Sequence, residues 1–153
     1  MTEPHWLSDE EQQLWRLLLD AERAANRCIE VTLQTRHQLT TAEFAVLVIL
    51  SEAEGYCHRL RELCSELRWD RSRTSHQVTR MEKRGLVRKC KCEGDARGVL
   101  VHITEEGMKR LQAAAPDHVE SVRKVVFDNF RPGDIEFLTP FLERVRDSYA
   151  RPE

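Results

Sequence analysis

The stretch AEFAVLVIL, residues 42–50, is apolar on nearly every side. Thr40 followed by Glu43 is a capping box, in which two side chains satisfy each other's unpaired backbone donors, so the stretch reads as a helix. A helix with no polar face has nothing to offer water and must lie buried. The chain has 153 residues, 41% of them hydrophobic, which suits one folding unit with a real core and is too short for two ordinary ones.

Upstream, Ser8 with Glu11 forms another capping box, and Leu14, Leu18, Ala21, Ala25, Cys28 and Thr32 recur at spacings of four and three. This predicts a helix to about Arg36. At 1.5 Å per residue it is roughly 40 Å long, more than a compact domain of this size needs for itself, and it implies a partner surface.

Downstream, Gly55 ends the buried helix and Tyr56-Cys57-His58 reads as a short extended link. Leu60, Leu63, Cys64 and Leu67 mark a short amphipathic helix, followed by a break at Arg68-Trp69 and a cap at Asp70. In the helix that follows, Thr74, Val78 and Met81 share one side. Arg73, His76, Gln77 and Arg80 fall within an arc of about 100° on another. Two short helices joined by a tight turn, the second with a basic outer stripe, read as a helix-turn-helix.

Gly85 closes that helix, and two alternating runs, VRKCKCE and VLVHITEEG, flank the stretch GDARG as a hairpin, or wing. Thr104 then caps a helix carrying Met108, Leu111, Ala115, Val119, Val122, Val126 and Phe130, with a kink expected at Pro116. A last helix from about Gly133 to Ala150 presents Ile135, Leu138, Phe141, Leu142, Val145 and Tyr149. The predicted fold is mainly α with a small β-wing. It is one domain over residues 1–153, with a winged helix-turn-helix lobe at about 41–105 and long helices at about 8–36 and 116–150. The long helices come from both chain ends and share few neighbours, so a symmetry mate is the simplest cover for their stripes, giving a homodimer.

The net charge of −2 conceals a strong segregation. From Arg68 to Gly98 ten basic residues face four acidic ones, a local +6 that leaves −8 for the rest of the chain. That patch points to nucleic acid. No apolar run approaches the ~20 residues needed to cross a bilayer, and the start, MTEPHWLSDEE, lacks the features of a signal peptide. A soluble, cytoplasmic protein without a membrane partner is expected. Five cysteines form an odd set, expected as thiols rather than a disulfide framework. No nucleophile motif or phosphate-binding glycine loop is present, so the chain reads as no enzyme, with no cofactor.

Over nearly its whole length the chain resembles the MarR family of bacterial transcription regulators. The stretches that carry the likeness are LTTAEFAVLVIL, LRELCSELRWDRSRTSHQVTRMEKRGLVRK, GDARGVLVHITEEG and AAAPDHVESVRKVVFDNF. Most specific is Asp-x-Arg at 95–97, followed by a strand and Thr-x-x-Gly at 104–107. The resemblance implies a homodimer built from both chain ends, each subunit offering its winged helix-turn-helix to half of a palindromic operator. It also implies a repressor or activator whose DNA affinity falls when a small hydrophobic or phenolic effector binds. In similar proteins a wing arginine enters the minor groove and an aspartate two residues earlier holds its guanidinium, roles that fall on Arg97 and Asp95.

On the basic helix, Arg73, His76, Gln77 and Arg80 are expected to face the major groove, where arginine suits guanine and glutamine suits adenine. Arg71 and Ser72 at the helix start are expected to hold phosphates, with Lys89 and Lys91 adding backbone charge from the wing. Trp15, Phe44 and Trp69 are candidates for an effector cleft. Cys90-x-Cys92 raises a rival reading as a redox or metal sensor, His102 being a nearby ligand, although no metal is assigned. A third reading is a winged-helix module that binds protein.

Overall fold

A computed structural model describes residues 4–149, excepting the side chains of Ala96 and Arg97. Helix α1 spans Asp9–His37 and opens on the expected capping box, with Ser8 and Glu11 exchanging hydrogen bonds of 2.8 and 3.2 Å. At 1.5 Å per residue it is about 44 Å long. Gln38 ends it in the left-handed region at φ 53°, turning the chain sharply into Leu39 and the next cap.

Helix α2, Thr41–Glu52, is the buried one: Phe44, Val46, Leu47 and Leu50 are all core residues. Its second capping box, Thr40 with Glu43, is also present. A 3₁₀ turn at Glu54–Tyr56 leads into strand β1, Cys57–Arg59, then helix α3, Leu60–Leu67, and helix α4, Arg71–Lys83. The expected extended link is therefore a true strand. It pairs antiparallel with the wing, Cys57 opposite His102 and Arg59 opposite Leu100.

Strands β2, Val87–Cys92, and β3, Asp95–Ile103, form the wing hairpin, and the sheet order is β1-β3-β2. The chain reverses at Glu93-Gly94, with Gly94 at φ 78°, so the tip lies before most of GDARG rather than within it. Register is regular from Val87 opposite Ile103 to Lys91 opposite Val99, then shifts so that Cys92 faces Asp95. Residues 96–98 are the surplus on β3, a bulge-like irregularity in the ladder.

Helix α5, Glu105–Val125, starts at the Thr104 cap and continues through Pro116, the position at which the sequence predicts a kink. Proline costs the bond to the carbonyl of Gln112, but both residues are exposed and water can replace it. After a 3₁₀ turn at Phe127–Asn129 comes helix α6, Asp134–Tyr149.

The core gathers Leu33 and Leu39, the α2 apolar residues, Leu63, Val78, Met81, Leu86, Val87, Val101, Leu111 and Ala114. It sits under the helix-turn-helix and the wing, which gives that lobe a rigid base. The chain ends contribute little to it. Helix α6 has no buried residue and α1 has only Leu33. Leu17 is 65% and Phe137 78% exposed, and Leu14, Trp15, Phe141, Leu142 and Val145 are exposed as well. Along its C-terminal half α1 is pinned to α5: Asp117 accepts from Arg36 at 3.1 Å and lies 2.8 Å from His37 Nε2, while Ser121 Oγ donates to Thr32 Oγ1 at 2.9 Å.

Candidate nucleic-acid interface

The turn between α3 and α4 is closed by local chemistry. Arg68 takes the left-handed conformation at φ 54°, and the Trp69 N–H donates to the Cys64 carbonyl at 3.1 Å. Asp70 caps α4 by accepting from the Arg73 N–H at 2.8 Å. With Thr74, Val78 and Met81 locked in the core, the opposite face of α4 stands outward.

On that face Arg73, His76 and Arg80 are exposed, as are Arg71 and Ser72 at the helix start. The Arg73 guanidinium lies over the Trp69 ring, 4.2 Å from its centroid. Gln77 is the exception: it is only 6% exposed, and its Oε1 accepts from Arg80 Nη2 at 2.6 Å. At 100° per residue it lies about 40° from Met81, on the flank of the core stripe rather than in the middle of the outer face. The expectation that Gln77 stands outward with its neighbours is therefore corrected.

The wing is tethered to α4. Lys89 donates from its backbone N–H to Glu82 at 2.7 Å and from Nζ to the Thr79 hydroxyl at 3.1 Å, with Glu82 Oε1 3.8 Å away. Lys89 thus acts first as a strut between helix and hairpin, while Lys91 is exposed. Asp95 is exposed at the start of β3; the side chain of Arg97, expected to enter the minor groove, lies outside the described residues. Gly98 permits close approach: a Cβ there would come within 2.8 Å of Cys92 Sγ and 2.9 Å of Asp95 Oδ2. Between α3 and the wing lies a cavity of about 350 Å³, with Arg59, Arg61, Cys64, Arg71 and Asp95 among its lining residues.

A second device, with no signature in local sequence, fixes the far end of α4. Arg84 Nη1 donates to both Glu43 oxygens at 2.5 and 2.6 Å, and Nη2 donates to the Gln38 carbonyl at 2.7 Å. The Glu43 side chain is 5% exposed. One guanidinium therefore joins the C-terminal end of α4 to the α1–α2 corner. The capping box revealed Glu43, but its partner lies 41 residues away and only the fold brings them together.

The residues expected to form an effector cleft occupy three separate environments. Phe44 is a core residue stacked on His118 with ring centroids 4.4 Å apart. Trp69 packs against the core beneath Arg73, and Trp15 is half-exposed on the outer part of α1. Burial holds the His118 ring below the usual histidine pKa range. The hydrogen bond from His37, more than any other influence, holds the Asp117 carboxyl below the usual carboxylate range.

The five cysteines are free thiols, with Cys92 buried and Cys90 half-buried. The register shifts between Lys91 and Cys92, so the two cysteines do not share one regular strand face, and His102 pairs across from Arg88, two positions from Cys90. Among the described residues no group of three or more His, Cys, Asp and Glu side chains is placed to hold a metal ion. No helix among them is long and apolar enough to cross a membrane.

Comparison with known proteins places this geometry. A model described as the MarR family matches residues 37–98. The chain is 37% identical to AbsC, a MarR family transcriptional regulator from Streptomyces coelicolor, covering 96% of this chain and 99% of that one with a TM-score of 0.90. Sco3205, a MarR family transcriptional regulator from the same organism solved in complex with DNA, is 34% identical, with 97% and 92% covered and a TM-score of 0.91. The HTH-type transcriptional regulator MgrA of Staphylococcus aureus is 28% identical over 133 residues, 86% of this chain and 87% of MgrA.

Proposed function

The chain belongs to the MarR family of transcription regulators, and from that premise we propose that it is a homodimeric repressor that binds a near-palindromic operator in double-stranded DNA. The observation that carries this reading is the outward face of α4. Arg73, His76 and Arg80 are exposed there on a helix capped at one end by Asp70 and clamped at the other by Arg84. A rigid, basic helix of this kind fits the major groove. Arg73 and Arg80 would pair with guanine edges, and Arg71, Ser72 and Lys91 would meet phosphates.

The wing carries Arg97 towards the flanking minor groove, where a narrow A·T-rich tract concentrates negative potential. The fold as a whole, over 97% of the chain, is similar to that of Sco3205, a protein solved in complex with DNA. Exposure supports a second subunit: α1 and α6 leave the large apolar side chains of Leu14, Leu17, Phe137, Leu142 and Val145 uncovered, the kind of surface that marks a protein–protein contact. Two-fold symmetry then places half-site centres about one helical turn, roughly 34–36 Å, apart.

A gel shift with the DNA upstream of the protein's own gene tests the reading. Saturable binding by a species of twice 17.9 kDa is expected. Arg97→Ala should weaken it and lower the slope of log K against log salt by about 0.9 per subunit. A monomer indifferent to duplex DNA at low salt would overturn the reading; unchanged affinity in the variant would remove the wing from it.

A further inference from the structure

Arg73 is exposed, yet it is not left to wander. Its backbone N–H is held by Asp70 at 2.8 Å, and its guanidinium lies over the Trp69 ring 4.2 Å from the centroid. Trp69 is itself constrained. Its backbone N–H donates to the Cys64 carbonyl, and its side chain packs against the core cluster. The indole thus forms a fixed platform, one part anchored in the lobe and one face covered by a cation.

A long charged side chain normally gives up rotamer freedom when it meets a base, and that ordering subtracts from affinity. An arginine already resting on an aromatic face has surrendered much of this freedom beforehand. A guanidinium lying over an aromatic ring still carries N–H groups directed away from it, and these stay available for the paired contact with guanine O6 and N7. We propose that Trp69 is a positioning residue for sequence recognition, its indole face ordering Arg73 so that the arginine discriminates guanine at one position of each half-site. This rests on the reading of the chain as a duplex-DNA regulator and names the determinant of its selectivity.

The test uses the full-length protein and duplexes enriched by the wild type from a randomised 30-bp pool. Affinity for the enriched sequence, and for versions changed at each guanine in turn, is measured for wild type, Trp69→Leu, Trp69→Phe, Arg73→Ala and the Trp69→Leu/Arg73→Ala pair. Circular dichroism at the assay temperature confirms that each is folded. Trp69→Leu should weaken binding about five- to tenfold, with the loss confined to the guanine that Arg73→Ala also ceases to discriminate. Trp69→Phe, which keeps an aromatic face, should stay within about threefold of the wild type. Adding Trp69→Leu to Arg73→Ala should cost nothing further, and the salt dependence of Trp69→Leu should match the wild type because its charges are unchanged.

An equal loss from Trp69→Leu in the Arg73→Ala background would show that the tryptophan merely supports the lobe, and would overturn the proposal. So would a loss spread evenly over all duplexes, or a Trp69→Phe variant as weak as Trp69→Leu. A wild type that enriches no sequence at all overturns the underlying DNA reading, a result distinct from the other three.

Discussion

Replacing Arg84 with methionine strips the counter-charge from Glu43 while roughly keeping the length of the side chain. Removing one partner of a fully buried ion pair typically costs about 3–5 kcal/mol, because the other charge is stranded. Two features of this pair moderate that cost. The Arg84 side chain is 36% exposed, and Glu43 keeps the Thr40 N–H at 2.9 Å. The expected loss is therefore about 2–3 kcal/mol, and at roughly 2–4 °C per kcal/mol for a chain of this size the melting point should fall by about 5–10 °C. Thermal unfolding followed by circular dichroism, at one fixed protein concentration because the proposed dimerisation would shift the midpoint, measures it. Combining Arg84→Met with Glu43→Gln removes both charges and should recover about half of the loss. A single variant less than about 0.5 kcal/mol below the wild type, or a double variant as unstable as the two single effects added together, would refute the claim that this pair clamps α4.

Gly107→Ala sets two effects against each other. The helix gains about 1 kcal/mol of propensity, but the new Cβ would lie 2.1 Å from the Leu86 carbonyl oxygen, and relieving that clash should cost more, leaving a melting point at least about 4 °C lower. His118, held below the ordinary histidine value of 6.5 by burial, binds its proton less readily folded than unfolded. Its contribution is therefore present above pH 6.5 and lost as pH falls through the folded value; urea midpoints at pH 7.5 and 5.0 should drop less for His118→Phe than for the wild type. Leu142→Glu with Val145→Glu places charge on the uncovered face of α6, and light scattering should register a shift from dimer to monomer while circular dichroism keeps its helical signal.

Most helices were legible because their ends carry chemistry that repeats locally. The boxes at Ser8 and Thr40 and the caps at Asp70 and Thr104 all form as the residue spacing implies. Strand β1 was harder to read: three residues show no periodicity, and the strand exists only because β3 offers it an edge. The wing tip was placed too late because glycine at 94 and at 98 looks alike in sequence, yet one turns the chain at positive φ and the other makes room for Cys92. The outer face of α4 was legible as an arc, but Gln77 lies at its margin, where the depth of the core decides. Arg84 counted only as one more positive charge. Its task depends on two carbonyl and carboxylate groups that meet it across more than forty residues.

The strut from Lys89 to Thr79 and Glu82 gives the recognition surface a fixed gauge. On the proposed DNA reading, hairpin and helix cannot slide independently along a duplex, so each half-site would be measured as well as read. An operator in which the A·T tract is shifted by a single base pair from the major-groove contacts would keep every preferred base and still present one of them out of phase.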